Sequence, residues 1–385
     1  MKILLIGEYS RLHNSLKEGL ISNGHAVTLV SSGDHFKKFD SDFSFQASTI
    51  SKYWFLTKVK NAIHKLSGID IEKAERGFRF YLLVPKLYAF DHVQLINSDA
   101  IETFPWLTKI LLRRVFKKIK SRSLLICGDE TPVIDFLLKK EFDYSTLTPY
   151  FESHSLKKHF EYSLKYSTKS YRKTFDWLSK NCQNLIVSDL DYKIPMEKMG
   201  YSVAFIPNPI NTEKLEFQVP KMEDKIIIFL GINRLSYIKK GIVFFEKALA
   251  IIEKKYPKVE IITTENNPYK TYIKLTEKAT IILDQVYSFD QGYNALEAMA
   301  KGKVIFTGAE KVFENHYNLI EKVAINAEPN VGSLVAELSF LIENPKKIIA
   351  IGKQARAFIE KEHDYIKISN AYLTLWNSKQ TSSEI

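Results

Sequence analysis

The segment Gly231-Ile-Asn-Arg-Leu-Ser-Tyr-Ile-Lys-Lys-Gly241 concentrates three cations, Arg234, Lys239 and Lys240, ahead of a glycine. Arg presents a planar donor fork and Lys a compact charge, and both suit phosphate oxygens. A helix opening at Gly241 would add unpaired N–H groups at its N-terminus. On spacing alone the segment fits a phosphate site and a solvated basic loop equally well. A second segment, Asp284 to Gly302, carries Glu297 in the first turns of a helix entered through Gly292. A carboxylate there is favoured by the helix dipole, and its two oxygens can accept bonds from a vicinal diol. It fits a plain helix-start carboxylate as well. Asp40-Ser-Asp42 and Asp189-Leu-Asp191 have the Asp-x-Asp spacing of a divalent-metal site. Triplets this short arise by chance, and no metal site is expected at either.

These residues need strands and helices to hold them. Lys2 to Gly7 reads as a buried strand, Leu16 to Ser22 as a helix and His25 to Ser31 as a second strand. That order in so short a span indicates a parallel βαβ unit. Phe80 to Val84, Val93 to Ile96 and Leu124 to Cys127 read as further strands. After the rigid Pro207-Asn208-Pro209 turn a new series begins. Strands are expected at Lys225 to Leu230, Val259 to Thr263, Thr280 to Leu283 and Lys303 to Thr307. Helices are expected at Gly241 to Lys255, Asn294 to Lys301, Ser333 to Ile342, Lys346 to Lys361 and Ile366 to Asn377, before a frayed tail from Gln380. The arms 1–206 and 207–362 thus read as two doubly wound α/β domains, with 363–385 as a closing helix and tail. Ligands of such sheets bind beyond the carboxyl ends of the strands.

A chain of 385 residues, 45% apolar and 26% charged, buries real cores and is not disordered. Its formal charge of +11 favours an anionic partner. Two cysteines, Cys127 and Cys182, exclude a disulfide framework and point to a reducing compartment. The opening apolar run stops at Gly7 and Glu8, too short for a signal peptide or a membrane span. The expected location is cytoplasmic, with room for a peripheral place on the inner face of the plasma membrane. Lys109 to Arg122 holds seven basic residues and no acid, with Leu112, Val115, Phe116 and Ile119 at helical spacing. It reads as a helix with a solvated basic face or one that lies on an anionic membrane. Nucleic acid is not expected as a partner, because no helix-turn-helix, RNA-recognition or zinc motif accompanies the charge.

Taken together, Arg234, Lys240-Gly241 and the run Leu296 to Ala300 with Gly302 resemble the donor half of retaining GT-B glycosyltransferases, in particular glycosyltransferase family 4. The Pro-Asn-Pro-Ile-Asn turn at 207–211 resembles that family's hinge, and His363 to Trp376 its closing helix. The resemblance covers the chain from residue 206 onward and, before it, only the opening βα unit. It implies a GT-B fold and transfer of a hexose-like sugar from a UDP- or GDP-linked donor to a saccharide or lipid-linked hydroxyl acceptor. Retained configuration, no metal, no cofactor and a place in cell-surface polysaccharide or lipopolysaccharide synthesis also follow from it. Arg234 and Lys240 would hold the diphosphate and Glu297 the ribose hydroxyls. Gly7, Ser10, Asn233, Lys239, Gly292 and Asn294 complete the expected donor site, and His154 is a candidate catalytic group. Asp129 and Glu130 are candidates for an acceptor hydroxyl. Eight residues before Glu297, where the family carries a sugar-contacting Glu, stands Phe289. Asp290 beside it is expected to supply that acceptor instead. A nucleotide-sugar epimerase of the same fold and a non-catalytic sugar-nucleotide or membrane-binding protein are the competing readings.

Overall fold

The computed structural model describes residues 1–34, 39–218, 225–266 and 269–378. Two parallel sheets carry the chain. The first joins β1 (Lys2–Ile6), β2 (Ala26–Ser31), β3 (Phe43–Ser44), β4 (His92–Leu95), β5 (Ser121–Ile126), β6 (Asn184–Val187) and β7 (Ala204–Phe205), in the order β3-β2-β1-β4-β5-β6-β7. The second joins β8 (Ile227–Ile232), β9 (Glu260–Glu265), β10 (Ile281–Leu283), β11 (Val304–Thr307) and β12 (Ile325–Asn326), in the order β12-β11-β10-β8-β9. Strands such as Ile3–Ile6, Ile228–Leu230 and Val304–Thr307 are buried on both faces, which is why each reads as an unbroken apolar run. Strand order reverses beside β1 in the first sheet and beside β8 in the second. The crevices that form there open onto the loops after β1, β4, β8 and β10.

Two expected elements are corrected. Phe80 to Val84 is no strand; it ends the helix Ile71–Leu83 and enters a 3-10 turn at Val84–Lys86. Phe80 and Val84, four apart, are buried while Tyr81 and Leu82 face outward, a helical period and not an alternating one. Asp70 caps this helix by accepting from the Glu72 N–H (3.0 Å). Lys109 to Arg122 is not one helix either. The helix Pro105–Phe116 stops at Phe116, and Arg122 already lies in β5. Leu112, Val115, Phe116 and Ile119 are buried in the core of the first domain, so that stripe is consumed by packing.

The chain crosses between sheets at 206–211 and returns at 363, where the Ile210 N–H donates to the His363 carbonyl (2.7 Å). The helix Tyr365–Ser378 then packs on the first domain's helix Leu12–Ser22. Gly19 permits that approach, since a Cβ there would lie 2.2 Å from the Tyr365 carbonyl oxygen. Trp376 stacks on His92 at 4.1 Å. No helix among the described residues is long and apolar enough to cross a membrane. The tail from Gln380 lies outside the described residues.

Candidate active site

The loop after β8 sends its cations in three directions. Arg234 is half exposed and pairs with Glu265 at the end of β9 (2.5 Å), its guanidinium 4.9 Å over the Tyr237 ring. Asn233 shapes the turn, accepting from the Leu235 N–H (3.0 Å). Lys239 reaches across to the first domain, where its ammonium meets Asp129 (2.9 Å) and Ser163 (2.9 Å). Burial pushes the Asp129 carboxyl up, yet the Lys239 charge and the Ser163 hydroxyl hold it below its ordinary range. Lys240 donates to the buried Asp284 at the end of β10 (2.6 Å). Gly241 opens the long helix as its N-cap, joining the turn Tyr237–Lys240 to the helix Ile242–Lys255 at φ 64°. A Cβ there would lie 2.3 Å from Val286 Cγ2, so only glycine fits both the torsion and the space.

Gly292 caps the helix Tyr293–Ala300, which carries Asn294 and Glu297 one turn apart. Asp284, Asn294, Glu297 and Lys301 line one pocket, walled on its apolar side by Ile273, Ile282 and Ile305. Lys240 is tied to this pocket through Asp284, which lines it beside an amide and a carboxylate. From the first domain Arg11 approaches the same place, with its guanidinium 4.0 Å from Glu297 and 3.2 Å from Glu18. A cation, a hydrogen-bonding amide and a carboxylate on one wall can bind a diphosphate and a diol together.

Asp290 does not face this pocket. It is buried, and its carboxylate accepts from the Leu190 N–H of the first domain (2.9 Å) and from the Gln291 N–H (2.7 Å). In return Asp191 accepts from the N–H groups of Phe289 (2.9 Å) and Asp290 (3.3 Å). The expectation that Asp290 replaces the family's Glu is therefore corrected: its oxygens are committed to the junction between the domains. Phe289 is committed there too, 4.4 Å from the Phe142 ring and 5.2 Å from Tyr144, whose hydroxyl donates to Glu310. Tyr293 adds another crossing, its hydroxyl bonded to Ser15 and to the Pro209 carbonyl (3.0 Å).

The Asp-Leu-Asp triplet is thereby explained as junction chemistry. Asp189 caps the helix Leu190–Lys198, accepting from the Tyr192 N–H (3.2 Å). Burial first, then the charges of Asp191 and Asp290, push the Asp189 carboxyl well up. Burial also raises Asp191 to about 7 and Asp290 to about 6. The folded state consequently binds more protons than the unfolded chain between about pH 4 and 7, so stability falls as pH rises through that window. Asn is as good a cap as Asp but carries no charge. Asp189→Asn is expected to match the parent's melting temperature near pH 5 and exceed it by several degrees at pH 8. Parallel melting curves across that range would show that the three carboxyls do not repel. The other triplet is equally occupied: Asp42 pairs with Lys17 (2.6 Å) and accepts from the Leu29 N–H (2.6 Å).

In the first domain Gly7 sits at the β1 switch point with φ 86°, where a Cβ would lie 2.3 Å from Ile96. Ser10 and Arg11 follow in left-handed conformations, and the Ser10 N–H donates to Asp34 (2.9 Å). Glu8 between them is buried and accepts twice from Asn14 through Oε2, while Oε1 has no hydrogen-bond partner among the described residues. Burial lifts its carboxyl to about 8 despite the Asn14 bonds. Glu130 is a helix cap, bonded to Ser98 and the Thr131 N–H (2.8 Å). His154 opens a 3-10 turn, but its side chain lies outside the described set.

The structure therefore gathers Asn294 and Glu297, links Lys240 to them through Asp284, and turns Lys239 across the cleft. It leaves Arg234 and Asn233 at the surface edge, sets Gly7 and Ser10 on the opposite sheet and locks Asp290 away. Asp284, which lines the pocket, and Arg11, which approaches Glu297, were not foreseen there. Asp284, the first polar residue after an apolar strand, was open to the rule that strand ends bind ligands. Arg11 shows itself only through a contact between domains.

Residues 241–374 match a family model described as glycosyl transferase-like. No curated protein matches the chain in sequence. Among solved structures, the chain is similar to a sucrose-phosphate synthase from Thermosynechococcus elongatus (13% identity, all of both chains covered, TM-score 0.65). It is similar also to HepE of Anabaena in complex with UDP and glucose (11%, 98% of this chain and 100% of that one, TM-score 0.60). A third is a UDP-N-acetylglucosamine 2-epimerase, described as putative, from Listeria monocytogenes (9%, 100% and 97%, TM-score 0.54). Two parallel Rossmann-like sheets facing one cleft, spanned end to end by these likenesses, give the chain the GT-B fold.

Proposed function

We propose that the chain is a glycosyltransferase that moves a sugar, with retained configuration, from a UDP- or GDP-linked donor to a hydroxyl of a saccharide or lipid-linked acceptor. The observation that carries this reading is that Asp284, which holds Lys240, lines one pocket with Asn294 and Glu297 at the end of β10. The UDP and glucose held by the Anabaena neighbour support a nucleotide-sugar donor. As the glycosidic bond breaks, charge grows on the departing diphosphate, and a fixed cation there lowers the barrier most. Lys240 takes that role in this reading, with Asp284 holding its ammonium until the donor arrives. Arg234 joins by leaving Glu265, a surface pair that solvent already screens. Two cations then serve where other transferases use a metal. Cell-surface polysaccharide or lipopolysaccharide synthesis is the setting such acceptors fit.

A panel of nucleotide-sugars with product analysis in EDTA tests the reading. Release of UDP or GDP with the sugar on an acceptor, undiminished by chelation, is the expected result. Activity lost in EDTA and restored by magnesium or manganese would overturn the metal-free step. The Listeria neighbour favours one second reading, epimerisation. Conversion of the free nucleotide-sugar without an acceptor would establish it, and binding with no turnover would leave a non-catalytic protein.

A further inference from the structure

The helix Trp54–Ser67 carries Phe55, Val59, Ala62 and Leu66 at helical spacing, an apolar stripe along one face. That face is turned to solvent: Phe55 is 52% exposed and Leu66 88%. Trp54 at the helix start is 72% exposed, with the Lys58 ammonium 4.5 Å over its ring. The helix contains no acidic residue, and Lys58 and Lys65 stand exposed on it. The helix Ile71–Leu83 runs back beside it, tied by Lys60 to Glu72 (2.6 Å), and exposes Phe78, Tyr81 and Leu82. The third neighbour, Pro105–Phe116, lays Arg114 4.9 Å over the Tyr81 ring and exposes Trp106. Arg113, Lys117 and Lys118 continue its exposed basic edge.

Aromatic and aliphatic tips among lysines and arginines match one surface in particular. At a bilayer boundary the rings and leucines enter the acyl region while the cations stay with the lipid phosphates. A wholly apolar protein groove would use the stripe and waste the charges, whereas an anionic bilayer uses both. We propose that this three-helix face of the first domain docks on an anionic phospholipid membrane. The role expected for Lys109 to Arg122 thus passes to other residues: its apolar stripe is in the core, but its exposed cations extend the docking face. The inference stands on this surface and not on the donor pocket.

Flotation with phosphatidylcholine vesicles, with and without phosphatidylglycerol, tests it on the full chain. The variants are Phe55→Ser with Leu66→Ser, and Lys58→Glu with Lys65→Glu. All four side chains are exposed, and unchanged melting curves confirm folding. Binding is expected for the anionic vesicles, weakening as salt rises, and each pair should lower it about tenfold or more. Brominated lipid should quench Trp54 fluorescence in a Trp106→Phe background, since Trp177 and Trp376 pack on Phe116 and His92. Anionic-vesicle binding that survives Phe55→Ser with Leu66→Ser, or a Trp54 signal that lipid leaves unquenched, would reduce the effect to the chain's net charge and overturn the proposal. A lipid-free dimer that the same pair dissolves would overturn it too, giving the face to a second copy.

Discussion

Replacing Lys240 with alanine is expected to lower the affinity for UDP or GDP by roughly ten- to a hundredfold, because a hydrogen bond to a charged group is worth about 1.5–3 kcal/mol. The same change strands Asp284, a buried carboxylate whose only ammonium partner among the described residues is Lys240. A buried acceptor left unpaired costs about 1–3 kcal/mol, so the variant also melts earlier. The two effects separate in Lys240→Ala with Asp284→Asn. Removing the stranded charge restores the melting temperature, while the nucleotide affinity stays low. Titration calorimetry that finds parental affinity in the folded double variant would take Lys240 out of the donor site.

Gly241→Ala is expected to destabilise the second domain by about 2–5 kcal/mol. The left-handed torsion at φ 64° costs an alanine about 1–2 kcal/mol. Its Cβ would press on Val286 at 2.3 Å and on the Tyr287 ring at 2.9 Å, adding about 1–3 kcal/mol of overpacking. For a domain of this size that is roughly 5–15 °C of melting temperature. The damage reaches the site as well, since the Val286 N–H donates to the Lys240 carbonyl (3.0 Å) and any shift of one moves the other. A variant that melts with the parent and binds UDP or GDP equally well would show that the loop accommodates a side chain there.

What could be read from the sequence follows from how local each signal is. Parallel strands buried on both faces read as apolar runs, so Ile228–Leu230 and Val304–Thr307 were legible, as was the helix Ile242–Lys255 after the first, whereas the short helix Lys311–His316 after the second was not. Lys240, Asn294 and Glu297 were legible because each lies a few residues beyond a strand or at a helix start. Phe80 to Val84 misled because a short apolar run has no decisive period; only burial of Phe80 and Val84 against exposed Tyr81 reveals the helix. The larger gap is between the domains. Nothing near Asp191 in sequence says that it will accept from Phe289 and Asp290, ninety-eight and ninety-nine residues on. Phe289 looked like a missing sugar contact, and it is instead half of an aromatic junction with Phe142 and Tyr144. Arg11 and Glu297 likewise meet only when both sheets are in place.

The central claim is that a nucleoside diphosphate occupies the pocket at the end of β10. Hydrogen–deuterium exchange with and without saturating UDP or GDP, read peptide by peptide, tests that claim most directly. Protection confined to residues 237–241 and 284–297, with a smaller effect at Ser10 and Arg11 across the cleft, is the predicted result. Protection that avoids 284–297, or exchange that neither nucleotide changes, would contradict it.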